Sequence, residues 1–473
     1  MLLRGHNHSN VSNFNNITDA TFPMNYRRLW FGFVIYLFAI AASFSLEYWI
    51  LLSAISIFPF LLLTLFDLKL SLYTFIVGIF IGWIIIEEPF ALRPIDVLTV
   101  LMIIAYFFNK LLHADFTLTT GKVQKPILIF IVAISLSLID TADIKKSLLN
   151  LFKHLELFAL YFIITDFTNN WKLEQIKRLL EYFLYIAFAA TTVAIVQLIV
   201  SDESRAFGIT GVPLADLTVG ALLVSISFFV FSTSKYATLK YALISLLLLT
   251  GLVLTQTRGA WISFFLSLSF MWLIVRKKSI VHSRKRILGI LFLLLLSIMI
   301  TFLIFPNIFT GITHRVEEVK YFEIGTIQLR LMLWEAAFRA FLSHPINGIG
   351  LGQFTVLSDN FSSLGMSSIF KENVGGLNAH NITFSYLAET GIIGIIGLIL
   401  FYSSFMILAS KTFNRAKTLQ EIELSTALYT NLFFVVVSSV YAGEWFWGLN
   451  GAQFILFLAL MSTISKKVYN YQL

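Results

Sequence analysis

The sequence predicts an all-α fold: a polytopic transmembrane helix bundle of about fourteen spans, with twelve to fourteen compatible, and one large, partly helical extracytoplasmic loop. Three observations lead there. Of 473 residues, 58% are hydrophobic and 13% charged, with a mean hydropathy of +0.83, against about 25% charged residues in an ordinary soluble domain. Apolar stretches of spanning length recur along the chain. Clusters of Lys and Arg fall into alternate connections between those stretches, as the retention of basic residues on the cytoplasmic side requires.

Taken in order, residues 1–28 are polar and Asn-rich, and a chain segment of that composition is expected to be disordered. His6 and His8 within it read more simply as part of such a tail than as metal ligands. No cleavable signal peptide is evident, so the first span is expected to act as an uncleaved anchor. The bundle proper occupies 29–305, with apolar runs at 29–44, 48–66, 70–86, 95–108, 127–139, 148–164, 179–200, 212–231, 241–254, 261–275 and 287–305. The runs at 95 and 127 are short for a membrane of about 20 helical residues and allow a merged or re-entrant segment. Residues 306–379 form the large loop. Residues 380–464 return to the membrane with runs at 383–408, 424–441 and 446–464, and 465–473 form a tail.

Arg276-Lys277-Lys278 and Arg284-Lys285-Arg286 flank one short connection, which sets it on the cytoplasmic side. Alternation then puts Arg27-Arg28, Lys122 and Lys125, Lys172 with Lys177 and Arg178, Lys411 with Arg415 and Lys417, and Lys466-Lys467 on that side too. Roughly 23 basic residues fall inside and about 10 outside, with both termini cytoplasmic. The net charge of +8 is therefore a topology signal and not a nucleic-acid footprint. The absence of cysteine excludes disulfides, thiolate metal sites and a cysteine nucleophile.

The unusual residues gather on the outer side. A loop of roughly 70 residues is far longer than a connection requires, and such loops are usually functional. Within it, 328–342 reads as an amphipathic helix, with Leu331, Trp334 and Phe338 on one stripe, ended by His344-Pro345. Gly348-Ile349-Gly350-Leu351-Gly352 then makes a close turn. It follows a helix rather than a strand, so it fails the context of a dinucleotide-binding loop.

Three arginines face outward against the general bias: Arg205, Arg258 in the tight turn Thr255-Gln256-Thr257-Arg258-Gly259, and Arg330 at the start of the loop helix. Guanidinium is always charged and presents a planar fork of donors that suits phosphate oxygens. The plainer alternative is that each snorkels to headgroups or pairs with a loop glutamate. His380-Asn381 stand where the chain re-enters an apolar run, followed by Gly391 and Gly394. A titratable imidazole at that boundary is a functional candidate; capping of the following helix is its structural alternative.

Four blocks together resemble the O-antigen ligase/polymerase superfamily of polytopic membrane glycosyltransferases. They are Arg205-Ala206-Phe207-Gly208 with Pro213, Leu254 to Trp261 around Arg258-Gly259, Arg330 through Trp334 to Gly348-Ile349-Gly350, and His380-Asn381 through Gly391 and Gly394. The resemblance implies a bacterial cytoplasmic (inner) membrane enzyme that takes a glycan from undecaprenyl pyrophosphate on the outer face. The acceptor would be lipid A core, another lipid-linked glycan or a further acceptor. It implies His380 as base on the acceptor hydroxyl, and Arg205, Arg258 and Arg330 as holders of the pyrophosphate, with Asn381, Trp334, Gly391 and Gly394 in support. Leu214 stands where members often have an asparagine after the proline, and Trp334 where some have a leucine; both bear on acceptor class rather than fold.

The chemistry is coherent on its own terms. Transfer from a pyrophosphate needs leaving-group charge neutralised, which arginines supply, and an acceptor hydroxyl activated, which an imidazole supplies. No outward acidic cluster suits magnesium, so a route without metal or cofactor is expected. Glu389 lies nine residues from His380, on roughly the opposite helix face, and is expected to cap or pair locally rather than act as nucleophile. Direct displacement with inversion follows. Two other classes remain in view: a transporter or flippase of lipid-linked oligosaccharide, for which Lys153, His154 and Glu156 in a span are suggestive, and a non-catalytic scaffold of a polysaccharide assembly complex.

Overall fold

The computed structural model describes residues 67–82, 92–114, 117, 119, 121–201, 205–278, 281–304, 326–362, 377–441 and 448–470. They all belong to one compact unit, residues 64–473. The tail at 1–28, the runs at 29–44 and 48–66, the first part of the large loop and its stretch 363–376 lie outside the described residues.

Fourteen α-helices are present among the described residues: α1 Leu68–Gly78, α2 Pro94–Leu112, α3 Gln124–Ser135, α4 Ile144–Phe167, α5 Leu173–Val200, α6 Leu214–Phe231, α7 Lys235–Leu254, α8 Arg258–Arg276, α9 Val281–Ile304, α10 Thr326–Ser343, α11 Phe354–Phe361, α12 Ile382–Arg415, α13 Leu419–Ser438 and α14 Gly448–Asn470. Eight are long and apolar enough to cross a membrane: α2, α4 to α8, α12 and α14. The chain is a multi-pass membrane protein. Each of the other apolar runs within the described residues is helical as well: α1, α3 and the apolar part of α9 are shorter, while α13 carries Glu421 and Glu423. The run at 95–108 extends into the full-length α2, whereas that at 127–139 stays short and ends in a 3-10 turn, Leu136–Leu138.

Helix starts follow local chemistry. Asp143 caps α4 by accepting from the Lys146 N–H at 3.1 Å, Ser234 caps α7, and Thr418 and Glu421 form a capping box on α13. At the centre lie α6, α13 and α14. The apolar windows of α6 and α14 are 94% and 89% buried, as expected of helices that are apolar on every face. Small polar side chains join the helices where no apolar driving force separates protein from lipid. Ser225 meets Ser245 between α6 and α7, Ser227 donates to the Glu423 carbonyl on α13, and Thr168 meets Thr463 between α4 and α14.

The apolar run at 383–408 lies in a helix long enough to span a membrane, but that helix is not continuous. At Gly391 the backbone takes φ 60°, ψ −159°, and α12 breaks there into 382–390 and the long segment beyond. An intact helix would pair the Ile392 N–H with the Ala388 carbonyl and the Ile393 N–H with the Glu389 carbonyl. Instead the segment 345–350, which follows α10, inserts into the break. Ile349 and Gly350 N–H donate to the Ala388 and Glu389 carbonyls, both at 3.0 Å. Ile392 and Ile393 N–H donate to the Pro345 and Ile346 carbonyls at 3.0 and 3.3 Å. Two lost helix bonds are thereby replaced by four.

The approach leaves no room for side chains. A Cβ on Gly391 would stand 2.4 Å from the Ile346 carbonyl oxygen, and one on Gly348 would stand 2.3 Å from the Glu389 carbonyl carbon. Behind the junction, α10, α11 and the first half of α12 share a small core of Leu333, Ala336, Ala337, Ala340, Phe354 and Ala388. Glu389 turns into it and accepts from the Phe354 N–H at the start of α11, at 3.2 Å, the local capping role expected from its position. Because Gly391 combines a glycine-only conformation with a closed site, Gly391→Val should destabilise the protein by at least about 2 kcal/mol. A lipid-reconstituted thermal melt checks this; an unchanged melt would show that the break tolerates a side chain.

Candidate functional site

The glycine-built junction places the start of α12 beside the end of α13, where the Ile382 N–H donates to the Ser439 carbonyl at 3.0 Å. Asn381 is buried and caps α12, its side-chain oxygen accepting from the Phe384 N–H at 3.2 Å. His380, immediately before it, is half-buried in a left-handed conformation with φ 47°, unusual for a residue other than glycine. Its N–H donates to the Asn378 side chain at 2.8 Å. Trp334 holds the turn from the side: its indole N–H donates to the Ala379 carbonyl at 2.9 Å, and its ring stacks on Phe384 with centroids 5.3 Å apart.

Arg330 lies one turn before Trp334 on the same face of α10. It is half-buried, and burial together with the neighbouring Arg258 guanidinium holds it below its usual arginine range. The two like charges therefore lie within electrostatic reach of one another. Arg258 is the first residue of α8, at the helix end whose dipole favours a negative charge. The turn leading into α8 is tight. Gln256 is buried at φ 52°, and the Trp261 indole closes the turn by donating to the Leu252 carbonyl at 2.9 Å. Arg205 reaches the same turn through its neighbour, for the Ala206 N–H donates to the Leu254 carbonyl at 3.1 Å.

Sequence reasoning missed three residues here. The Tyr441 ring, after α13, lies against the first turn of α8, where a Cβ on Gly259 would be 2.5 Å from it. Tyr441 also lies within electrostatic reach of Arg330, and its hydroxyl donates to Asp216 at 2.7 Å. Asn450 on α14 donates to the other Asp216 oxygen at 3.3 Å. A carboxylate in the first turn of an otherwise apolar span is the signal that could have found Asp216; nothing in the sequence singles out Tyr441 or Asn450.

Gly391 and Gly394 prove to shape the backbone. Gly391 makes the break, and a Cβ on Gly394 would overlap the Thr390 hydroxyl, which donates to the Tyr386 carbonyl. Lys153 and Glu156 line a cavity of about 390 Å³ with Asp96 of α2, bounded by apolar side chains of α2 and α4. His154 is buried and engages the Asn150 carbonyl and the Tyr386 hydroxyl, joining α4 to α12.

Residues 243–399 match the family model described as O-antigen ligase. That stretch, about a third of the chain, is similar to the O-antigen ligase family. The match supports the superfamily resemblance read from the motif blocks and spans three of the four. The O-antigen ligase match takes in Arg258, Arg330, Trp334, the glycine segment, His380-Asn381, Gly391 and Gly394, and leaves Arg205, Asp216 and Tyr441 outside it. No curated protein matches the chain.

The Trp334 anchor can be tested apart from any activity. Trp334→Phe keeps the stack on Phe384 and removes the only donor the substitution changes, leaving the Ala379 carbonyl without it. The expected cost is about 1–3 kcal/mol, with faster amide exchange over residues 380–384 and unchanged exchange over 400–415. Equal exchange in variant and wild type would show that the turn holds without this bond.

Proposed function

We propose that the protein is a membrane glycosyltransferase of the O-antigen ligase/polymerase type, acting on a glycan carried by undecaprenyl pyrophosphate at the outer face of the bacterial cytoplasmic membrane. The observation that best supports this is the placement of Arg330, half-buried one turn before the Trp334 that anchors the His380 turn and within electrostatic reach of Arg258 at the start of α8. Such a pair is relieved by an anion placed between them, and a pyrophosphate supplies the charge and the oxygen geometry. Arg205, next to the same turn, serves as a third holder.

In the proposed reaction the acceptor hydroxyl oxygen attacks the anomeric carbon of the donor sugar. The bond from that carbon to the pyrophosphate oxygen breaks, and its electron pair leaves with undecaprenyl pyrophosphate. The hydroxyl proton passes to the His380 imidazole. Arg258 and Arg330 neutralise the charge that grows on the leaving group, so the chemistry calls on no metal. One displacement inverts the anomeric centre. Glu389, engaged at the start of α11, is not placed for a covalent intermediate in this scheme.

The test gives purified protein an undecaprenyl-pyrophosphate-linked oligosaccharide with candidate acceptors, in EDTA. A longer lipid-linked product identifies a polymerase; transfer to lipid A core identifies a ligase. His380→Ala should lower the rate by about 10²- to 10⁴-fold. His380→Asn tests the same loss with a residue that tolerates left-handed backbone, so equal loss in both separates chemistry from folding. Arg258→Lys should also be impaired, because a point charge does not replace the planar fork. Transfer by folded His380→Ala at the wild-type rate would remove His380 as the base, and no transfer by folded wild type with any acceptor would point to a scaffold. Lipid transport abolished by substituting Lys153 and Glu156 together, with glycosyl transfer intact, would favour the transporter reading.

A further inference from the structure

The opposite end of the bundle holds a basic cavity. Beyond the break at Gly391, α12 runs on to Arg415, about 36 Å from the junction. There the turn into α5, the α12–α13 turn and the last turns of α14 enclose a cavity of about 750 Å³. Lys172, Arg415, Lys417 and Lys467 line it, with Trp171 at its wall. Among the described residues none of these four cations forms an ion pair with a carboxylate.

Two carboxylates also line the cavity. That of Glu421 is committed to its own helix, accepting from the Lys417 and Thr418 N–H groups at 2.7 and 3.0 Å. Glu174 lies in the first turn of α5, where the helix N-terminus favours a negative charge. Beside the cavity, Lys122 and Arg415 both stand over the Tyr469 ring, at 3.0 and 3.8 Å from its centre. Burial, then Arg415 and Lys411, lower the Lys122 ammonium from its usual lysine range. Positive charge is thus concentrated in a concavity, where low-dielectric walls strengthen it.

Retention of basic residues on one side of the membrane explains why these connections are rich in Lys and Arg. It does not require cations from three separate connections to converge on one hollow against their own repulsion. We infer that this cavity binds a phosphate-bearing ligand, its phosphate oxygens received by Lys172, Lys417, Lys467 and Arg415. Two sources carry that chemistry: the headgroup of an anionic phospholipid, reached from the adjoining leaflet, and a soluble phosphate or pyrophosphate compound. Basic pockets between transmembrane helices are suited to anionic headgroups.

The test uses the full-length protein in nanodiscs of phosphatidylcholine alone or mixed with phosphatidylglycerol, with retained lipid counted by native mass spectrometry. In parallel, inorganic pyrophosphate is titrated calorimetrically into the phosphatidylcholine nanodiscs. The cavity variant is Lys172→Gln/Lys417→Gln/Lys467→Gln; the control, Lys235→Gln/Arg276→Gln/Lys277→Gln, removes equal charge elsewhere. Thermal melts confirm that both fold, and Lys417→Gln alone stands in should the triple variant fail. Selective retention of phosphatidylglycerol, weakened at least about tenfold in the cavity variant and kept in the control, supports a lipid headgroup. Saturable pyrophosphate binding with the same pattern supports a soluble ligand. Neither ligand binding the wild type, or equal loss in both variants, overturns the inference. None of these readouts depends on glycosyl transfer.

Discussion

A backbone break in a membrane helix is tolerable only if the freed N–H and C=O groups find partners, since each left bare in an apolar surround costs several kcal/mol. The break at Gly391 meets that demand through the segment 345–350, and the rest of the site depends on the exchange. It ties the large loop's helices α10 and α11 to the first half of α12. It also fixes α10 where Trp334 can reach the Ala379 carbonyl, and so brings Arg330, one turn earlier, toward Arg258. The glycines at 348 and 391 are there because two backbones meet with no space for a Cβ.

Around this frame the site keeps charge in tension. Arg258 and Arg330 repel, and the nearby anion, Asp216, is engaged by Tyr441 and Asn450. Tyr441 touches both sides of the arrangement, its ring against Gly259 and its hydroxyl on Asp216. Both arginines are half-buried, and partial desolvation strengthens the action of fixed charges on charge that develops nearby. Left-handed backbone at Gln256 and His380 marks the same two turns, in keeping with strain concentrated where function is.

Much of the fold was legible because the membrane imposes it: apolar runs of sufficient length become helices, and 328–342 read correctly as the helix that is α10. The motif residues were legible as types and spacings. Their partnership was not. Gly391 and Gly394 read as part of a motif, but no periodicity tells that a helix opens at Gly391 to admit a segment some forty residues earlier. Tyr441 and Asn450 look like ordinary ends of apolar runs, and Asp216 acquires meaning only when α8, α13 and α14 bring their ends together. The convergence of Lys172, Lys417 and Lys467 on one cavity was hidden for the same reason: sequence shows the charge of each connection, and tertiary packing decides whether those charges meet.

The account turns on where a polyprenyl pyrophosphate sits. Electron cryomicroscopy of the full-length protein in nanodiscs loaded with undecaprenyl pyrophosphate addresses it directly. The account predicts pyrophosphate density between Arg258 and Arg330, with oxygens about 3 Å from both guanidinium groups and the His380 imidazole on the open side. Density for the headgroup in the α2–α4 groove beside Lys153, with the two arginines bare, would contradict it.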